Sequence, residues 1–392
     1  MTASNELGRQ RLAAAAGFFT QGLIFITLTT HLPDIKKKWD ISEVELSILL
    51  LAMVLLAGVG SVAAETLAKR RDSAALLRCG LALVFVSVPV VALAPSFGVF
   101  ATSLAVYGLG LGIVDATTNM QAVALEHRYG RPILPSFHGA WTLGGIIGAA
   151  VTLATSHLSI GTSIAPLAVV PLVVLFAPFL RRDDGVIDLK AAGAIPWRPI
   201  LLVGCGMVLF YMVDTAATTW GPTYLDDIFP TPSSLVALAT FPYLVASGAM
   251  RLAGDRTVAR FGAERVLRAG GIAAALSLAV VVFAPTWPIA VLGFTLTGAS
   301  VAVIAPLSFS AAARIAGGSS LDPALRQARV DAVIARFNQF NYVGALLGSV
   351  LTGLVGADSL RYGFAVPMVL ILGILPLATA FAPASGESFH RV

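Results

Sequence analysis

Twelve apolar stretches, each long enough to pass through a bilayer as a helix, alternate with short connections along this chain, and basic residues crowd into every second connection. A hydrocarbon core about 30 Å thick takes about 20 helical residues per crossing at a rise of about 1.5 Å each. In lipid the backbone must satisfy its own hydrogen bonds, which a helix does and an open sheet does not. The pattern predicts crossings near 12–31, 44–67, 74–94, 98–125, 134–155, 161–180, 199–222, 234–252, 265–284, 287–313, 333–355 and 360–381. Of the 26 Lys and Arg residues, 22 lie at the two termini or in, or within about one turn of, the connections after crossings 2, 4, 6, 8 and 10. Cytoplasmic connections retain positive charge during insertion, so both termini are expected in the cytoplasm. Lys36, Lys37 and Lys38 lie on the other face, where Asp34, Asp40, Glu43 and Glu45 offset them.

A soluble fold has no interior large enough for a chain that is 57% hydrophobic and 12% charged, with a mean hydropathy of +0.85. The net charge of +5 and pI near 9.4 follow from the sidedness of the loops, so no nucleic-acid surface is read into them. Cys79 and Cys205 fall near the starts of crossings 3 and 7 on the predicted cytoplasmic side, where a disulfide does not persist. Arg9 and Arg11 before the first apolar run superficially resemble a signal peptide, but the further crossings make it an uncleaved first span. The five histidines lack metal-ligand spacing, and no phosphate-cradling loop with a following Lys is present. An enzyme, a metal or cofactor protein and an ATP-driven pump are therefore not expected.

The sequence repeats itself. At a shift of 190 positions Gly58 falls on Gly248, Glu65 on Asp255, Arg70 on Arg260, Arg78 on Arg268 and Gly108 on Gly298. At a shift of 200, Phe137 falls on Phe337, Gly144 on Gly344 and Gly148 on Gly348. The unit is six helices, and the division is expected at residues 1–180, a polar cytoplasmic linker at 181–198, and residues 199–392. Two such bundles in the same orientation leave room for a cavity between them.

The connection after crossing 8, GAMRLAGDRTVARFGAERVLRAGG at 248–271, resembles the cytoplasmic loop signature of the major facilitator superfamily through Gly248, Gly254, Asp255, Arg256, Arg260 and Gly262. The first-half copy at 58–80 departs from it: the acid is Glu65, Thr66 replaces the first arginine and Asp72 stands at the turn glycine. Gly58, Glu65, Arg70, Gly248, Arg251, Asp255, Arg256 and Arg260 are accordingly expected in two cytoplasmic gate loops. A second run, residues 108–149, is similar to bacterial facilitators related to fucose permeases, through Asp115, Asn119, Glu126, His138, Gly144 and Gly148. Crossing 7 fits the same branch through Asp214, Trp220, Tyr224 and Leu225. The resemblance implies an all-α membrane fold of 12 transmembrane helices in two pseudo-symmetric six-helix bundles, set in the inner membrane and working as a monomer.

An ionised carboxylate retained at mid-span is costly unless it faces protein or water, which makes Asp115 and Asp214 functional candidates. Counted from Glu126, Asn119 lies about 10 Å deeper and Asp115 about 16 Å deeper, on one helical face. His138, six residues from Pro132, is expected at about the depth of Asn119. A low dielectric favours a protonated carboxyl and a nearby donor favours the charged one, so proton and substrate can compete for a site. Asp115, His138 and Asp214 are therefore the proton-coupling candidates, with Asp214 expected in the outer part of crossing 7 near Trp220 and Tyr211. Gln21, Asn119, Trp141, Tyr211, Trp220, Asn338, Asn341 and Tyr342 are the expected substrate-cavity residues. The reading is a proton-coupled secondary transporter of a small organic solute, by uptake. Its alternatives are proton-coupled efflux, which the absence of a proline from GAWTLGGIIGAA disfavours, and a receptor-like or lipid-handling protein that does not transport.

Overall fold

The computed structural model describes residues 3–68, 70–129, 133–180, 196–229, 231–317, 329–330, 333, 337 and 339–381, and among them every regular element is helical. Ten helices in this set are long and apolar enough to span a bilayer, and two shorter apolar helices fill the places expected for crossings 6 and 11. In chain order, crossings 1 to 6 are Asn5–Thr30, Glu43–Ala68, Ser73–Leu93, Phe97–Glu126, Ser136–Ala154 and Ile160–Leu175. Crossings 7 to 12 are Trp197–Ile228, Ser233–Gly254, Ala263–Val282, Trp287–Gly317, Gln339–Val355 and Leu360–Phe381. The expected all-α fold of two six-crossing bundles is the one observed. Large apolar side chains such as Leu55, Val59, Phe176 and Leu276 remain exposed on these helices, which lipid covers.

The halves repeat in their packing as well as their sequence. A Cβ added at Gly108 would lie 2.4 Å from the carbonyl oxygen of Met53, and one at Gly298 would lie 2.3 Å from that of Tyr243. Likewise Gly144 abuts the backbone of Phe19 in crossing 1, and Gly344 that of Val208 in crossing 7. Arg78 Nε donates to the carbonyl of Leu175 at 3.1 Å, and its repeat partner Arg268 donates to that of Leu375 at 3.5 Å. Each arginine thus supplies a donor to carbonyls near the end of its half's last crossing. The bundles meet along three seams, crossing 1 with 7, crossing 2 with 11 and crossing 5 with 8.

Four local features differ from the sequence reading. Crossing 7 runs on to Ile228 instead of ending near residue 222, carrying Pro222 inside the helix. The stretch expected as a loop after crossing 8 is helical through Phe261 and turns only at Gly262, whose φ of +81° suits glycine. In the first half Asp72 takes that place by a different device, accepting a hydrogen bond from the backbone of Ala74 as a helix cap. A short helix, Leu32–Trp39, lies in the connection after crossing 1; it buries Leu32, Pro33 and Ile35 and gathers its three lysines in its last turn.

The close approach at Gly108 predicts a packing cost. Gly108→Ala should lower stability by about 1–3 kcal/mol, because a backbone neighbour cannot move aside. Gly98→Ala, where no atom lies within 4 Å of the added carbon, should change it little. Thermal unfolding of the two purified variants in detergent distinguishes them.

Candidate functional site at the bundle interface

Asp115 sits 14 residues from the end of the Phe97–Tyr129 helix, about 21 Å along it. One carboxylate oxygen accepts a 2.7 Å hydrogen bond from the Tyr342 hydroxyl, and the other accepts from Asn119 Nδ2 at 3.3 Å. Tyr342 belongs to crossing 11, so the first bond joins the two bundles. One turn away, Gln339 Nε2 donates to Glu65 Oε1 at 2.7 Å and to Ser61 Oγ at 3.4 Å, both on crossing 2. Gln339 and Tyr342 share a helical face, so crossing 11 holds crossings 2 and 4 through one polar edge.

A second cluster stands on crossings 7 and 8. Asp214 is buried and accepts a 2.7 Å bond from the Tyr243 hydroxyl. It lies 17 residues from Trp197 and 14 from Ile228, so it is central in the helix rather than in its outer part; the extension of crossing 7 is the reason. Arg251 lies inside the crossing-8 helix, not in a gate loop. Its Nη1 donates to Thr142 Oγ1 of crossing 5 at 2.9 Å, and its guanidinium sits 5.7 Å from the Phe210 ring centre. Tyr211, packed edge-on to Phe210 at 5.0 Å, lies within the field of Asp115, Asp214 and Arg251 together.

His138 does not join Asp115 and Asn119. Its ring packs between Phe18 at 5.5 Å and Phe309 at 5.8 Å, and the row continues through Phe337 to Phe340. Aromatic contact thereby links crossings 1 and 5 to crossing 10.

The other expected residues divide. Gln21 faces a small cavity of about 10 Å³ inside the first bundle, between crossings 1, 3 and 4, instead of the interface. Trp220 is fully buried and donates to the Ser349 carbonyl at 2.6 Å, a contact between crossings 7 and 11 within the second bundle. Trp141 is half-buried against the core, its carbonyl pressed on Gly22. Asn341 is half-buried on crossing 11, while Asn338 and the side chain of Asp255 lie outside the described residues. Of the loop signatures, Glu65 holds Gln339, Gly248 meets the methyl of Thr142, Gly58 has open space, and Arg70, Arg256 and Arg260 are exposed.

Some pairings escaped the sequence reading. Glu126 accepts from the backbone N–H groups of Ile133 and Leu134, capping the start of crossing 5. On the face opposite the termini, Lys36 bonds Asp227 at 2.7 Å and also Glu43, and Lys37 bonds Asp226 at 2.6 Å. Burial works against the Lys36 charge, but the hydrogen bonds it donates to Asp227 and Glu43 outweigh it and hold its pKa above the ordinary lysine value. The lysine side of this latch is thus intact below that ordinary value and is lost only as pH rises through the raised one. Complementary charge runs, three lysines and two aspartates on one face, were the available signal.

No protein-family model matches the chain. It is 30% identical over 319 residues to an uncharacterized transporter of Sinorhizobium fredii, covering 76% of this chain and 81% of that protein. It is 26% identical over 385 residues to an uncharacterized MFS-type transporter of Yersinia pestis, covering 95% of each. Among solved structures, the nucleoside transporter NupG aligns with a TM-score of 0.67 at 14% identity, over 96% of this chain and 98% of that one. The major facilitator superfamily transporter FucP, in its outward conformation, aligns with a TM-score of 0.65 at 16% identity, over 95% and 98%. At those identities the two structures bear on the fold alone.

Two contacts give measurable expectations. Asp115→Asn and Tyr342→Phe should show a coupling of about 1 kcal/mol in a double-mutant cycle on unfolding in detergent. Asp227→Ala should loosen the latch by about 1 kcal/mol. Labelling of a cysteine placed at Glu43 should then speed up about fivefold over the same cysteine with Asp227 intact.

Proposed function

The chain belongs to the major facilitator superfamily and is a transporter, and on that premise we propose that it takes up a small polar organic solute by proton symport. It does so by alternating access, the bundles rocking about a site at their interface. The observation that carries the proposal is the hydrogen bond from Tyr342 to Asp115. It ties a mid-membrane carboxylate of one bundle to the other bundle, so adding a proton there weakens a contact that holds the halves together. A device of this kind converts proton binding into movement without any further cofactor.

In this proposal the protein lies in the inner membrane with both termini cytoplasmic, following the asymmetry of its basic residues. Residues 1–180 and 199–392 are the two moving bodies and 181–198 the connection between them, of which 181–195 lie outside the described residues. Each molecule works as a monomer. Proton-driven efflux is the competing direction. The receptor-like alternative has no support from relatives that are themselves named as transporters.

Uptake into proteoliposomes under an imposed inward proton gradient tests the proposal. A panel of sugars, polyols, nucleosides and amino acids should contain a solute that the wild type concentrates. Asp115→Asn should lose that concentration by at least about tenfold while still exchanging external for internal solute. Accumulation by Asp115→Asn equal to wild type removes Asp115 from coupling, and solute movement only against the proton gradient establishes efflux.

A further inference from the structure

We infer that the site between crossings 7 and 8 recognises a zwitterion: Arg251 takes a carboxylate of the solute, and Asp214 takes its protonated amine. The inference rests on the transport reading above and narrows its substrate class.

Among the described residues Arg251 spends one of its five donors in a hydrogen bond, on the neutral hydroxyl of Thr142. Its Nε is buried without a hydrogen-bond partner, and Arg251 forms no ion pair among the described residues. The ring of Phe210 offers a partial counterweight on one face. A guanidinium does not shed its charge, so an arginine within a membrane-spanning helix calls for an anion to offset its desolvation. With Nη1 turned to Thr142, the remaining edge of Nε and Nη2 has the spacing that binds a carboxylate through two parallel hydrogen bonds.

Asp214 stands in the field of Arg251 yet is bonded to Tyr243 instead of to it. One carboxylate oxygen takes the Tyr243 hydroxyl; the other has no hydrogen bond among the described residues. The two opposite charges therefore stand apart on neighbouring helices, each with one edge unused. A solute with a single charge satisfies only one of them, and a neutral one satisfies neither. A second negative charge, as on a phosphate, would be repelled by Asp214. An amino-acid-like zwitterion fits both edges, and Phe210 and Tyr211 provide an aromatic wall beside them.

Thermal stabilisation of the purified wild type in detergent tests this with the standard L-amino acids and glycine betaine as probes. At least one zwitterion should raise the unfolding temperature, and its amide, which lacks the carboxylate, and its deaminated acid should each need at least tenfold more for the same shift. This comparison needs no variant. In Arg251→Gln the shift should be lost, and Arg251→Lys should recover part of it. Failure of every zwitterion to stabilise the protein overturns the inference. So does equal stabilisation of wild type and Arg251→Gln by L-fucose or uridine, while proton-driven uptake of those neutral solutes would leave the transport reading standing.

Discussion

A polar group inside hydrocarbon must find its partner within the protein, because neither lipid nor bulk water supplies one. In this chain several of those partners lie across the boundary between the two bundles: Tyr342 for Asp115, Gln339 for Glu65 and Thr142 for Arg251. The groups that are costly to leave alone are the same groups that hold the halves together. Separation of the bundles exposes them, and something else must then satisfy them: water, a proton or a solute. In the proposed mechanism, that exchange would give the rocking motion its chemical control.

The interface has two ends of different character. On the face opposite the termini, Lys36 and Lys37 tie crossing 1's connection to the end of crossing 7. Toward the termini, closure depends on the aromatic row through His138 and on Gln339 with Glu65. Charged pairs at the watery edge cost little to break, whereas the aromatic row gives way only by sliding. Asp115 and Asp214 stand between these ends, about midway along their helices.

Much of this was legible in the sequence because lipid imposes simple rules. Span length, charge asymmetry and the 190-residue repeat each have one physical cause, and Gly108 with Gly298 or Arg78 with Arg268 play matching parts in the folded chain. The i, i+4 pair of Asp115 and Asn119 was also readable, since helical spacing fixes it. The partners of these groups were not. Tyr342 lies 227 residues from Asp115 and Thr142 lies 109 from Arg251, and nothing in one helix's periodicity states which face of another it will meet. Arg251 was misplaced for a related reason: a basic residue in an apparent loop motif reads as an anchor until the helix is seen to continue through it. His138 lacks the expected partners, because two phenylalanines pack against its ring.

The central claim is that the charge on Asp115 governs the separation of the bundles, and an inter-bundle distance measured against pH addresses it most directly. Spin labels at Arg70→Cys and Arg256→Cys, both exposed and one on each half, report that distance once Cys79 and Cys205 are replaced by serine. The account predicts that the wild-type distance lengthens as pH falls, and that Asp115→Asn shows the longer distance at every pH. An identical pH response in the two proteins would contradict it.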